Sequence, residues 1–241
     1  MKRLRVDIML PVYHGNLTEI PNSIQKQIEY YEEALREYDW RIVLAINGPN
    51  AENVISLAQK LGRQDMRITY DYTERPGKGS GIVHSWSRST ADILSYMDID
   101  LSTDIRGFSH LVDMIKAGYD IAIGSRYHPD STVERSLKRR IVSVSYHKIF
   151  MKIILGARTY TDAQCGFKAV SPRVVKEILP IVRNRNWFFE SELLYVAEQK
   201  GFRIKEIPVN WKESEFSGMK LYKAILEFIK CGISLRLRRL K

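Results

Sequence analysis

Cysteine is scarce in this chain. Cys165 and Cys231 are the only two in 241 residues, far apart and outside any CxxC or Cys/His spacing. That excludes a disulfide framework and a structural zinc site, and it fits a reducing compartment. Long apolar runs are missing too. The best candidate, 141–155, is interrupted by His147, Lys148 and Lys152, short of the ~18 uninterrupted apolar residues expected of a spanning helix. The N-terminus opens on Lys2, Arg3 and Arg5, but Asp7 and Pro11 break the following apolar stretch, so no signal-peptide core is expected. The five histidines do not cluster, which leaves metal ligation through imidazole without support. Internal repeats, low-complexity tracts and flexible linkers are absent, as are helix-turn-helix, RRM and zinc-finger patterns. A nucleic-acid partner is therefore not expected, despite a pI near 9.5.

What is present begins with charge. The net charge is +10, and its placement is uneven. Residues 134–158 and 220–241 each carry seven Lys/Arg against one Glu, so each contributes +6 and the rest of the chain is left at −2. Two basic segments point to two anionic contact surfaces rather than to a uniformly basic protein.

Short β-rich runs alternate with helix-length segments. Residues 6–12, 41–46, 67–72, 93–97, 120–124 and 203–210 read as strands. Segments 17–38, 50–62, 78–90, 105–117 (capped by Asp104 and closed near Gly118), 134–156, a shorter stretch opened by Pro172, and 189–200 read as helices. This is the pattern of βαβ units around a mostly parallel sheet. One compact domain over 1–212 is expected, with a basic amphipathic extension over 213–241. In such sheets ligands sit at the carboxyl ends of strands, which draws attention to 11–16, 47–50, 75–79 and 98–104.

The sharpest local feature is Met97-Asp98-Ile99-Asp100 at the end of an apolar strand. Two carboxylates there can approach one hard divalent cation, Mg²⁺ or Mn²⁺, that bridges a diphosphate; taken alone, such a pair reads more often as two solvated loop aspartates. Arg75-Pro76-Gly77-Lys78-Gly79 offers a cation and backbone N–H groups at a helix start, or an ordinary turn, and it is not a Walker sequence. Gly124-Ser125-Arg126 and Asp162-Ala163-Gln164-Cys165-Gly166-Phe167 carry the same two readings. Glu190 and Glu192, beside Trp187-Phe188-Phe189, open a helix and suit its dipole. Along the C-terminal segment Leu221, Ile225, Phe228, Ile229, Ile233, Leu237 and Leu240 share one broad apolar face, with lysines and arginines on the rest. Such a helix lies on an anionic membrane or packs on its own domain.

Taken in order, LPVYHGN, ERPGKGSG, MDID, GSRY, KRR, DAQCGFKAV and WFFESELLYVAEQKGFRIKEIPVNW resemble the family 2 glycosyltransferases, within them the dolichyl- and polyprenyl-phosphate mannose and glucose synthases. The resemblance covers roughly residues 5–212. It implies an α/β GT-A fold, inverting transfer from a nucleotide sugar and a divalent metal. It places Pro11, Tyr13, Asn47, Lys78 and Asp98 with the nucleotide sugar, and Asp98 and Asp100 on the metal. Arg126 falls near the phosphates, Asp162 and Gln164 in the acceptor and sugar loop, and Arg139, Arg140 and Glu190 by the acceptor phosphate. The chain departs from the family where Ile46-Asn47-Gly48-Pro49 replaces the usual Asp-Asp-Gly-Ser, and where no acidic residue follows Tyr13 closely. The wording DAQCGFK leans toward UDP-glucose over GDP-mannose.

A phosphate monoester is already largely dianionic near neutral pH, its second pKa being about 6, so this acceptor class needs no general base. A saccharide hydroxyl would need one, with Glu190 or Asp162 the candidates, and a degenerate homologue would bind without turnover. The expected setting is the cytoplasmic, inner face of a membrane, held peripherally and with an integral-membrane partner.

Overall fold

The structure is a computed structural model that describes residues 3–135, 152, 155–213 and 221–238, with the backbone alone over 221–225. Strands β1 (Arg5–Val12), β2 (Asp39–Asn47), β3 (Ile68–Thr73), β4 (Ile93–Met97), β5 (Ile121–Ser125), β7 (Phe167–Val170) and β8 (Ile204–Pro208) form one seven-stranded sheet in the order β3-β2-β1-β4-β7-β5-β8. All neighbours are parallel except β7, which runs antiparallel between β4 and β5. Strand β6 (Thr132–Glu134) pairs with β9 (Asn210–Lys212) in a separate two-stranded sheet.

Alternate residues of the central strands are apolar on both faces because both faces are covered. From β1, Val6, Ile8, Leu10 and Val12 pack with helices α1 (Ile20–Ala34), α2 (Glu52–Gln64) and α4 (Phe108–Lys116), whereas Met9 joins the opposite layer. That second layer holds α3 (Lys78–Arg88), α5 (Pro172–Glu177) and α6 (Phe189–Gln199), together with the buried side of α7 (Leu221–Leu237). Helix α6 is buried at every position from Phe189 to Ala197, so its first turn carries Glu190 and Glu192 into the interior.

The expected elements are present with shifted ends. The helix read over 17–38 spans only α1, with Pro21 in its first turn, where a missing N–H costs nothing. Asp104 accepts from Arg106 N at 3.0 Å as foreseen, but the first turn is a 3-10 turn and α4 proper starts at Phe108. The strand read over 203–210 is broken. Pro208 lacks an N–H, Val209 donates to Ser131 Oγ (2.9 Å) and accepts from Thr132 N (3.1 Å), and the chain leaves the large sheet for the small one. Strands β6 and β7 were not foreseen. The basic helix read over 134–156 lies almost wholly outside the described residues; Glu134, at its predicted start, ends β6.

The C-terminal helix is present, but its apolar face is divided. Phe228, Gly232 and Leu235 turn inward at i, i+4 and i+7, with the Phe228 ring 5.7 Å from Phe188. Leu226, Ile233 and Leu237 point to solvent along another row of the helix. Among the described residues no helix is long and apolar enough to cross a membrane.

Candidate active site at the carboxyl ends of the strands

The segment from Asp162 to Lys168 runs along the ends of β4 and β5 and ties together two charged corners. At the first, Gly166 O accepts from Asp98 N at 2.9 Å. A Cβ on Gly166 would collide with the Asp98 carboxylate, so glycine is what lets that acid seat against the loop. Lys78, the first residue of α3, reaches Asp98 Oδ1 at 2.7 Å and Glu190 Oε1 at 2.9 Å. It sits there because Gly77 adopts a left-handed φ of +117°, which is open to glycine and strained for other residues. The Gly77 N–H donates to Asn47 Oδ1 (3.0 Å), and Asn47 Nδ2 donates to Val12 O (2.9 Å). Asn47 thus joins the ends of β1 and β2 to the start of α3.

Behind this corner lies Lys168, on β7 and fully buried. Its ammonium donates to Cys165 O and lies 3.9 Å from Glu190. The Tyr96 hydroxyl also donates to Glu190. Burial alone would raise the Glu190 pKa, but Lys168, Lys78 and Tyr96 together hold it below the ordinary glutamate value. Burial likewise works against the Lys78 charge, yet Asp98 and Glu190 raise its pKa overall. The Asp98 carboxyl is pushed up, by burial first and then by Glu190 and Asp100, against the pull of Lys78.

At the second corner Arg126 and Asp162 form a bidentate pair, 2.7 and 2.9 Å, with Arg126 N donating to the same carboxylate at 3.0 Å. Asp162 is fully buried and the Arg126 side chain is 10% exposed. Burial opposes the guanidinium charge, but Asp162 raises its pKa. Glu206 on β8 holds the loop from below by accepting from Thr161 N and Asp162 N at 2.6 and 3.0 Å. Gln164 Nε2 donates to Ser191 Oγ at 2.7 Å, which joins this loop to α6 next to Glu190.

Of the residues foreseen from the sequence, Asn47, Lys78, Asp98, Glu190, Arg126, Asp162 and Gln164 come together on this one framework. Pro11 lies in β1 opposite Ala45, and Tyr13 follows it with a half-exposed ring. Asp100 is exposed, with one oxygen accepting from Ser102 N at 3.0 Å. Arg139 and Arg140 lie outside the described residues. Tyr96, Lys168, Ser191 and Glu206 were missed. Tyr96 and Lys168 are polar positions in mostly apolar strands, and Ser191 and Glu206 sit beside charged residues that draw the eye first. Glu192, read together with Glu190, serves elsewhere. It accepts from Arg183 N and Asn184 N and pairs with Arg238 at 2.8 Å, anchoring α7.

Among the described residues no three His, Cys, Asp or Glu side chains converge as a complete metal cage. The two aspartates at the end of β4, one of them in the recess that Gly166 leaves open, suit a hard cation that takes its remaining ligands from water and a diphosphate. Cys165 is buried and its thiol is pushed up to about 12, by burial first and then by Asp162. It is a packing residue rather than a nucleophile.

Comparison with known proteins agrees with this arrangement. Residues 7–179 match the glycosyl transferase family 2. The chain is 32% identical to glycosyltransferase AglD of Haloferax volcanii over 92% of its own length, spanning 35% of that protein. It is 24% identical to the dolichyl-phosphate beta-glucosyltransferase of Dictyostelium discoideum over 98% of its length and 75% of the relative's. The glucosyl-3-phosphoglycerate synthase of Mycobacterium tuberculosis, in complex with Mn²⁺, UDP-glucose and phosphoglyceric acid, superposes with a TM-score of 0.68 at 14% identity, covering 97% of this chain and 79% of that one. The sheet order and the antiparallel β7 are thus a GT-A arrangement, and the chain belongs to the family 2 glycosyltransferases.

Proposed function

We propose that this chain transfers a hexose, glucose from UDP-glucose by preference, to the phosphate of a polyprenyl lipid, with inversion, at a membrane surface. One observation carries the choice of acceptor. Both carboxylates that could serve as a general base are already engaged by cations, Asp162 by Arg126 and Glu190 by Lys78. A hydroxyl acceptor needs a base within hydrogen-bond reach, whereas an ionised phosphate needs only orientation and neutralisation. The dolichyl-phosphate glucosyltransferase relative supports the same acceptor and the same sugar.

In this reading Asp98 and Asp100 hold a Mg²⁺ or Mn²⁺ ion, which supplies charge neutralisation for the departing diphosphate. Lys78 orients the diphosphate from the α3 side, and Asn47 with Pro11 and Tyr13 shapes the nucleotide pocket. Gln164, fixed by Ser191, faces the sugar. Arg126 and Asp162 set the acceptor loop, and Arg139 and Arg140 meet the acceptor phosphate. Residues 1–212 form the catalytic domain and 213–241 the extension that holds it to the cytoplasmic face of the bilayer, beside an integral-membrane partner. The exposed apolar row of α7 supports that placement.

The test is nucleotide release from UDP-glucose and from GDP-mannose, with and without a short-chain polyprenyl phosphate, in Mg²⁺ or Mn²⁺. Release from UDP-glucose that requires the lipid phosphate is the expected result. Equal release with a saccharide acceptor in place of the lipid would refute the acceptor assignment.

A further inference from the structure

A groove of about 290 Å³ runs between the outer side of α3 and the 183–187 loop, away from the Asp98 corner, and among its lining residues are Arg75, His84, Arg88 and Arg185. Three guanidinium groups line it, and no carboxylate does. Arg88 is neutralised from outside by Asp71 at 3.0 Å. The Arg75 side chain is exposed and has no hydrogen-bond or ion-pair partner among the described residues. Arg185 spends one nitrogen on its own loop, donating to Val182 O and Asn184 O at 2.8 and 3.1 Å. Its backbone is pinned to α3, where Ser80 N donates to Arg185 O at 2.9 Å. Burial first, and then the nearby Arg75 charge, push the Arg185 pKa down against the opposing pull of Glu192. Arg75 and Arg185 line one groove that no carboxylate lines, so like charges repel there, and a bound oxyanion relieves that repulsion.

The surroundings identify the oxyanion. Two residues beyond Arg185, Trp187 is 48% exposed, although its ring edges the catalytic cleft 5.7 Å from Lys78. An exposed tryptophan beside arginines is the composition of a membrane interface. The same loop touches α7 through Asn184 Nδ2 and Cys231 Sγ (3.8 Å) and through Arg238 donating to Ile181 O (3.3 Å). Helix α7 carries the exposed Leu226, Ile233 and Leu237, with exposed Lys230 among them. Cations and an interfacial aromatic adjoin on this loop at the mouth of the site, while the exposed apolar row of α7 lies on the side of that helix turned away from the loop. The groove lies just under the range of about 300–1,000 Å³ of drug-sized ligand sites, and suits a headgroup better than a nucleotide sugar.

We propose that the groove lined by Arg75, His84 and Arg185 binds the phosphate of an anionic phospholipid headgroup, and that this contact turns the mouth of the catalytic cleft toward the bilayer. The inference deepens the membrane placement proposed above, and it is tested without donor or acceptor, so that its failure is separate from failure of the transferase reading. The experiment is co-sedimentation of the full chain with phosphatidylcholine vesicles, with and without phosphatidylglycerol, for the unaltered protein, Arg75→Gln, and Arg63→Gln. Arg63 is exposed in the last turn of α2, so its loss removes the same charge elsewhere. Arg75→Gln is expected to lower partitioning onto phosphatidylglycerol vesicles about fivefold, with Arg63→Gln close to the unaltered protein. Equal losses in both variants would mean that net charge alone drives binding and would overturn the site. So would vesicle binding indifferent to phosphatidylglycerol. Soluble glycerol phosphate is titrated in parallel by calorimetry. Tight, Arg75-dependent binding of it without vesicle binding would make the groove a free-phosphate site and overturn the lipid assignment.

Discussion

The two charged corners of the site are built from the same chemistry and behave differently. At one, Arg126 and Asp162 match two donors to two acceptors, with a backbone N–H added and Glu206 fixing the loop beneath. At the other, Lys78 is a single ammonium shared between Asp98 and Glu190, while Glu190 also keeps Tyr96 and Lys168. A planar guanidinium in a bidentate pair is committed to one geometry, whereas an ammonium on a flexible stem exchanges acceptors easily. The first corner therefore acts as scaffold. The second is adjustable: Lys78 can leave Asp98 for a diphosphate without stranding Glu190, which keeps the Tyr96 hydroxyl as donor and the Lys168 charge 3.9 Å away.

The largest effect should come from the adjustable corner. Asp98→Asn should lower turnover by about 10²–10³-fold, the range seen when one transition-state electrostatic contact is removed. Asn keeps the shape beside Gly166, so the thermal midpoint and circular dichroism should stay near those of the unaltered protein. Asp98→Asn turnover within a factor of about two would break the assignment of this corner to the reaction.

The comparison is sharpened by deleting each cation. Arg126→Met removes the bidentate guanidinium from the fully buried Asp162 carboxylate, and breaking a buried pair in this way costs about 3–5 kcal/mol. Lys78→Met leaves Glu190 with Lys168 and Tyr96 and leaves Asp98 with a 40% exposed side chain, so its cost in stability should be clearly smaller. Chemical denaturation of both variants reads the difference. Equal losses would mean that Lys78 is as much a scaffold as Arg126.

The adjustable corner was the more legible of the two in the sequence. Asp98 and Asp100 follow an apolar strand and Lys78 sits between glycines, so composition and spacing both mark them. Its supports were not legible. Lys168 comes beside Tyr96, and so near Glu190, because β7 inserts antiparallel next to β4, and residues 94–97 and 167–170 become neighbours through that pairing alone. Glu206 is hidden in the same way, since it reaches Asp162 from a strand on the far side of β5. Helix α7 shows the opposite failure. Its apolar positions were legible, but a single helix offers rows to two surroundings at once. Only the packing of Phe228 and Leu235 shows which row the domain keeps.

The smallest effect concerns how tightly the scaffold corner closes. Cys165 lies on the loop between Asp162 and Lys168, buried, with its thiol pushed up to about 12. The thiolate is the nucleophilic form, so at about pH 8 almost none is available, and the folded chain shields what there is. Cys231, also shifted upward by burial, is only partly covered. Iodoacetamide at about pH 8 should therefore label Cys231 in the native protein well before Cys165, by peptide mass mapping, and Cys165 should react readily only after denaturation. In Arg126→Met the Cys165 rate should rise, because loss of the bidentate guanidinium loosens the loop that buries the thiol. In Lys78→Met it should stay low, since that cation reaches the loop only at second hand, through Asp98 and Glu190. If both variants left Cys165 equally protected, the burial of the thiol would not depend on the Arg126–Asp162 pair, and the scaffold role would pass to Glu206.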